Sequence, residues 1–273
     1  MSSPLPFDEH DLRHRLLGPA GRWTALDVVD ETGSTNADLM ARALEGAPDG
    51  SILVTEHQTR GRGRLDRSWD APRGSGIAVS VLWRPDGISA ERLGWLPMLA
   101  GVALLDAVRE IAPDLDAGLK WPNDLLLGGR KAAGILAEMG AVSGGGPAVV
   151  LGLGINVGAP ASTLPEGATS FAAESAPVDR TELLVALLRR LGEREAAWRA
   201  AGGDADESGL RGDYRAGCVS LGSEVRVEMP GGSAIVGIAE DVDPQGHLLV
   251  LEPEGHRRAV AAGDIVHLRP ARP

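Results

Sequence analysis

Residues 119–139 read LKWPNDLLLGGRKAAGILAEM. Two apolar runs, 119–127 and 132–139, flank Gly128-Gly129. A glycine pair between two runs of strand length marks a tight turn, so the spacing predicts two paired antiparallel strands. Working outward, PAVVLGLGINV (147–157), SILVT (51–55) and GIAVSVLW (76–83) have the length and β-branched content of buried strands. Residues 34–44 have helical spacing, with Leu39, Met40, Ala43 and Leu44 on one side and Ser34 or Thr35 at the N-cap position. Residues 92–111 and 180–198 read as long helices. Hairpins beside separate helices predict an α+β fold rather than a doubly wound sheet. Helical periodicity stops at 202–212, where Gly, Asp and Glu cluster. Beyond lie five short runs (225–227, 234–238, 248–251, 259–261 and 265–268), parted by Pro230-Gly231-Gly232, Pro244-Gln245-Gly246 and Glu254-Gly255. That pattern predicts a small antiparallel barrel. The expected division is 1–212 and 213–273.

The chain has 273 residues, 43% hydrophobic and 24% charged, with one cysteine. Such a chain buries a sizeable core and is neither collagen-like, low-complexity nor a disulfide scaffold. Cys218 alone forms no internal bridge, which points to a reducing, cytoplasmic compartment. The start lacks a basic segment followed by an apolar run, and the longest apolar stretch, 96–108, is interrupted by Pro97 and Asp106. Neither a secretory signal nor a membrane span is expected. A formal charge of −11 argues against general nucleic-acid binding, DNA included. The six histidines are scattered with no cysteine partner, which disfavours zinc, and no G-x-S-x-G elbow occurs. Of 27 basic residues only Lys120 and Lys131 are lysine. An Arg-rich surface needs no lysine, so this pair, within twelve positions of each other, is a candidate for work that wants a compact ammonium.

Four segments carry candidate chemistry. Glu31-Thr-Gly-Ser-Thr-Asn36 opens a helix, where small hydroxyls and free backbone N–H groups attract anions. Plain capping is the simpler role for Ser34 or Thr35. Between 56 and 73 five arginines face Glu56, Asp66 and Asp70, a locally basic stretch in an acidic chain. Within it, Arg60-Gly-Arg-Gly-Arg64 lets a mobile backbone wrap a ligand while guanidinium forks meet phosphate oxygens. An RNA-binding tract or a solvated loop would look similar. The third segment is Lys120-Trp-Pro-Asn-Asp124 followed by Arg130-Lys131-Ala-Ala-Gly-Ile135. Two ammonium groups and a carboxylate at strand ends suit nucleotide chemistry, the carboxylate holding Mg2+ or steering an amine. A surface salt bridge is the alternative. In the fourth, Leu151-Gly-Leu-Gly-Ile-Asn-Val157, the spacing through Gly158 does not match a dinucleotide fingerprint. It reads as a strand whose glycines admit close approach, with Asn156 as a polar contact. Trp23, Trp83, Trp95 and Trp198 read as core residues, and Trp121 as a packing residue.

Taken in order over 27–158, these segments resemble the biotin–protein ligase family. The resemblance rests on Ser34-Thr35-Asn36, Gln58, Arg60-Gly-Arg-Gly-Arg64, Trp69, Lys120-Trp-Pro-Asn-Asp124, Arg130-Lys131-Ala-Ala-Gly-Ile-Leu136 and Gly152-Leu-Gly-Ile-Asn156. It implies a mixed-sheet catalytic domain of the class II synthetase-like type and an SH3-like β-barrel at the C-terminus. It also implies ATP, Mg2+ and biotin as ligands. Biotin and ATP would give biotinyl-5′-adenylate, from which the acyl group passes to a lysine of the biotin carboxyl carrier domain of an acyl-CoA carboxylase. By resemblance, Ser34, Thr35, Asn36 and Gln58 contact biotin, and Arg62, Gly63 and Arg64 fold over biotin and the adenylate. Lys131 bridges the biotin carboxylate and the α-phosphate, Trp69 shields adenine, and Asn156 lies near the nucleotide. Lys120 and Asp124 line the phosphate and acceptor side. Family members often carry Gly where this chain has Asp66. Only some 25 residues precede the first strand-like segment, so a ligase without operator binding is expected. The alternatives are a lipoate–protein ligase, which shares the adenylation logic, and a non-catalytic RNA-binding protein.

Overall fold

A computed structural model describes residues 6–18, 21–65, 67–141, 147–229, 232–261 and 264–267. Asp66, the Pro230-Gly231 half of one expected turn, and the end of the last expected strand at 268 lie outside the described residues. In chain order the elements are α1 (Glu9–Leu16), β1 (Ala25–Val29), α2 (Thr35–Leu44), β2 (Ser51–Thr55), β3 (Gly76–Trp83), α3 (Leu96–Ile111), β4 (Ala117–Lys120), β5 (Asp124–Leu127), β6 (Arg130–Ala141), β7 (Pro147–Asn156), α4 (Arg180–Ala200) and α5 (Leu210–Gly217). Then come β8 (Glu224–Glu228), β9 (Ala234–Val242), β10 (Leu248–Leu251), β11 (Arg257–Val260) and β12 (Asp264–His267).

β1 to β7 form one mixed sheet in the order β1-β2-β3-β7-β6-β5-β4, with only β1 and β2 parallel. Strand alternation gives the sheet two unlike faces. Val79, Val81, Leu151, Leu153, Ile155 and Ile135 turn to one side, where they pack with the buried sides of α3 and α4 in the main core. At about 25 cal/mol per Å2 of apolar surface removed from water, this interface dominates folding. On the other side α2 lays Leu39 and Ala43 over Leu53, Leu82, Ala148 and Val150, a smaller cluster that covers only part of that face. The rest of it is the floor of the site.

Both sheet edges are capped, which removes sticky unpaired strands. At β1, Arg13 Nε donates to Leu26 O (2.7 Å) and Val28 N–H to a Glu9 carboxylate oxygen (3.3 Å). At β4, Val219 N–H donates to Leu119 O (2.8 Å). β8 to β12 make a second, antiparallel sheet in the order β11-β10-β9-β8-β12. The turn Pro244-Gln245-Gly246 does more than separate its strands. It docks on the first sheet's body, accepting from Trp95 Nε1 at Pro244 O (2.8 Å) and from Trp121 Nε1 at Gly246 O (3.1 Å). Tyr214 of α5 stacks edge-on to Trp95 beside this joint, and burial pushes its phenol well above the ordinary range.

Three local expectations are corrected. Residues 119–127 are not one strand but two, β4 and β5, paired with Lys120 opposite Asp124 across Trp121-Pro122-Asn123. Pro122 has no N–H to give a ladder, so the strand turns there. The helix expected from 92 begins as a 3-10 segment, Ala90–Trp95, and α3 starts at Leu96. Pro97 lies in its first turn, where a missing N–H costs nothing. Helical structure does not stop at 202–212, because α5 crosses residue 212 and buries Leu210, Tyr214 and Gly217.

Candidate active site

The register of the first sheet builds the floor. Lys120 opposes Asp124, Asp124 opposes Gly134, Gly134 opposes Gly154, and Gly154 opposes Ala78, all on the face away from the main core. The next row is Leu136, Gly152 and Ser80, and the row beyond carries Glu138 and Val150. Three glycines in this patch remove side chains and let other groups descend onto the sheet. A Cβ on Gly154 would sit 2.4 Å from the Trp69 ring, and one on Gly152 would sit 2.2 Å from Asn36 Oδ1. Trp69 and Asn36 thus lie directly on the strand, which is why β7 needs glycine at both places.

α2 begins beside this floor. Ser34 occupies the N-cap position, but its side chain makes no capping hydrogen bond, so the capping role does not apply to it. Gln58 serves instead. Its Oε1 accepts from Thr35 N–H (2.9 Å) and from Thr35 Oγ1–H (3.1 Å). A side chain from a different loop therefore satisfies the helix start and ties it to the segment after β2. Ser80 Oγ lies 2.7 Å from Thr35 Oγ1 and 2.6 Å from Asn36 Oδ1. Asn36 Nδ2 donates to Leu136 O (3.2 Å) and to Glu138 Oε2 (2.9 Å). Carbonyl and carboxylate oxygens only accept, which fixes the orientation of the Asn36 amide.

The Arg-Gly loop forms the wall. Gly63 N–H donates to Arg67 O (2.7 Å) and Trp69 N–H to Gly61 O (2.9 Å), folding the loop on itself. A Cβ on Gly61 would meet Trp69 O at 2.2 Å, so this turn requires glycine. At the base, Arg73 pairs with Asp30 and with Glu31 (3.0 Å), and His57 Nδ1 meets Glu31 at 3.1 Å. The hydrogen bond from His57, then that from Arg73, holds the Glu31 carboxyl below its usual range. Arg62 meets Glu138 Oε2 at 2.8 Å, and Arg64 Nη1 donates to Asn123 Oδ1 (3.0 Å). Lys131 Nζ lies 2.7 Å from Asp124 Oδ1 and 5.9 Å from the centre of the Trp69 ring.

These groups enclose a cavity of about 760 Å3, open mouth included. Ten of the expected residues line it: Ser34, Thr35, Asn36, Gln58, Arg62, Gly63, Arg64, Trp69, Asp124 and Lys131. Two do not. Lys120 stands opposite Asp124 in the ladder but outside the lining. Asn156 is buried, and its Nδ2 donates to Thr169 O (3.1 Å), so it tethers the segment after β7. Sequence reasoning missed Ser80, Asn123, Arg67 and Glu138 as parts of the site. Ser80 and Glu138 had one signal, being single polar residues inside apolar strands.

Among the described residues, Arg62, Arg64, Arg67 and Lys131 share the lining with one carboxylate, Asp124, in a chain of net charge −11. Such a cavity screens more than one negative charge and suits the meeting of two anions. Among the described residues no three His, Cys, Asp or Glu gather to hold a metal ion. Among them too, no helix is long and apolar enough to cross a membrane.

Residues 28–156 match the profile of the Biotin/lipoate A/B protein ligase family, and residues 220–268 that of the Biotin protein ligase C terminal domain. The biotin--[acetyl-CoA-carboxylase] ligase of Mycobacterium tuberculosis is 46% identical over 268 residues, 97% of each chain. The bifunctional ligase/repressor BirA of Escherichia coli is 32% identical over 251 residues, covering 90% of this chain and 74% of that protein. A solved structure of the Aquifex aeolicus biotin protein ligase in complex with biotin and ATP superposes with a TM-score of 0.73. It is 27% identical and covers 91% of this chain and all of that one.

Proposed function

The chain belongs to the biotin/lipoate A/B protein ligase family and is an ATP-dependent biotin–protein ligase, and from that premise we propose how its cavity performs the reaction. Biotin and ATP are its ligands, and the lipoate alternative is not favoured. The biotin head group occupies the end formed by Ser34, Thr35, Asn36 and Gln58, whose hydroxyls and amides match a ureido group. The biotin carboxylate then reaches Lys131. A carboxylate oxygen attacks the α-phosphorus of ATP, the bond to the bridging oxygen of pyrophosphate breaks, and biotinyl-5′-adenylate remains. Two anions meet in this step. The Lys131 ammonium and the guanidinium groups of Arg62 and Arg64 offset their charge, and fixed cations of this kind act mainly by electrostatic preorganisation. Trp69, packed closely on Gly154, offers its ring to the adenine. Asn156 acts near the nucleotide through the segment it tethers.

In the second step the amine of an acceptor lysine attacks the acyl carbon, the bond to the phosphate oxygen breaks, and AMP leaves. Asp124 steers that amine and Lys120 stands beside it. The acceptor is the biotin carboxyl carrier domain of an acyl-CoA carboxylase, in keeping with the Mycobacterium relative's name. Mg2+ bound to ATP would offset phosphate charge, and Asp124 is the carboxylate in the lining among the described residues that would help hold it. Residues 1–212 carry the reaction and 213–273 the C-terminal unit. A lone buried Cys218 fits a cytoplasmic setting.

What carries this reading is the gathering of four cations around Asp124 among the described residues that line the cavity of an acidic chain. Biotin-dependent exchange of label between pyrophosphate and ATP by the purified protein tests it. Exchange that responds to biotin supports the reading. Exchange that responds to lipoate and not biotin overturns it, as does RNA binding with no exchange.

A further inference from the structure

Glu138 is out of place by charge. It is a carboxylate beside a cavity that gathers anions, on a strand whose other residues on the same face include Gly134, Leu136 and Gly140. It does not line the main cavity but an adjoining groove along the Arg-Gly loop, with Arg62, Gly63, Arg64, Leu65, Arg67 and Leu136. There its Oε2 accepts from two donors at once, Asn36 Nδ2 at 2.9 Å and Arg62 Nη2 at 2.8 Å. Asn36 is held in turn by Ser80, on the row that also meets Thr35 and hence Gln58. A continuous chain of hydrogen bonds thus runs from the helix start that receives the head group to the loop that closes over it.

We propose that Glu138 is a positioning residue that couples the two. Its carboxylate holds Arg62 against the Asn36 amide, so that an occupied Ser34–Asn36 end and a closed Arg-Gly loop stabilise each other. The inference rests on the biotin reading for the identity of the ligand, but the latch itself is a property of the free chain. Glu138 and Arg62 side chains are 28% and 46% exposed, so their pairing adds little to overall stability and acts on the loop alone.

The test uses Glu138→Ala and Glu138→Gln in the full chain. Trypsin cleavage after Arg62 and Arg64, mapped by mass spectrometry without ligand, should be about three- to fivefold faster in Glu138→Ala, with Glu138→Gln in between. Release of biotinyl-adenylate should quicken by a similar factor, and KM for biotin should rise while the unfolding temperature stays within about 2 °C. In an Arg62→Ala background the Glu138→Ala change should add nothing to cleavage after Arg64, as expected of two groups in one interaction. Cleavage and release rates in Glu138→Ala equal to those of the parent overturn the latch and leave the biotin reading intact. A parent that makes no adenylate overturns the biotin reading, and the cleavage ratio still decides the latch.

Discussion

On β7, Leu151, Leu153 and Ile155 turn one way into the helices, and Gly152 and Gly154 turn the other way under Asn36 and Trp69. Over 151–155 the same strand thus supplies large side chains to one face of the sheet and none to the other. The apolar face is closed by α3 and α4 and carries the stability. The bare face is only partly covered by α2, and Asn36, Ser80, Asp124, Glu138 and the loop arginines crowd onto it. The difference teaches a division of labour. A cavity that concentrates like charge is unfavourable in itself, and it persists because the opposite face holds the backbone in place regardless.

That division predicts that the faces can be damaged separately. Lys131→Ala on the bare face should slow adenylate formation by about a thousandfold, or about 4 kcal/mol, while the unfolding temperature holds. A matched fall in stability would break the comparison. Leu151→Ala, which removes a side chain 0% exposed in the core, should cost about 3 kcal/mol in denaturant unfolding and leave KM for biotin unchanged well below the transition. Gly154→Ala tests the floor more finely. Its Cβ would displace the Trp69 ring, and KM for ATP should rise about thirtyfold with little loss of stability. The smallest effect belongs to the loop. Arg64→Ala loses the contact to Asn123 and should release the intermediate about tenfold faster in a filter-retention assay.

Much of the sheet was legible because each strand carries its own period. The runs at 51–55, 76–83 and 147–157 mark β2, β3 and β7 to within a residue, and the glycines of β7 were readable as places of close approach. What comes close was not readable, since Asn36 and Trp69 arrive from far along the chain. The same reason hid Ser80, Glu138 and the cap that Gln58 supplies to Thr35, 23 residues away. Periodicity reports which face a residue is on, not which partner shares it. The turn at Trp121-Pro122-Asn123 was passed over because apolar residues on both sides suggested continuity, although Pro122 marks the break. α5 escaped because glycines at 209, 212 and 217 mask a short pattern of Leu210 and Tyr214 that only burial against α3 and Trp95 makes helical.

The central claim is that one ammonium and a set of guanidinium groups neutralise two reacting anions over a glycine floor. Crystals of the protein grown with biotin and a non-hydrolysable ATP analogue test it most directly. The account predicts both molecules in this cavity, the biotin carboxylate and the α-phosphate each within hydrogen-bond reach of Lys131 Nζ, and Arg64 turned onto them. Ligands bound elsewhere, or Lys131 and the loop arginines facing open solvent with the ligands in place, would contradict it.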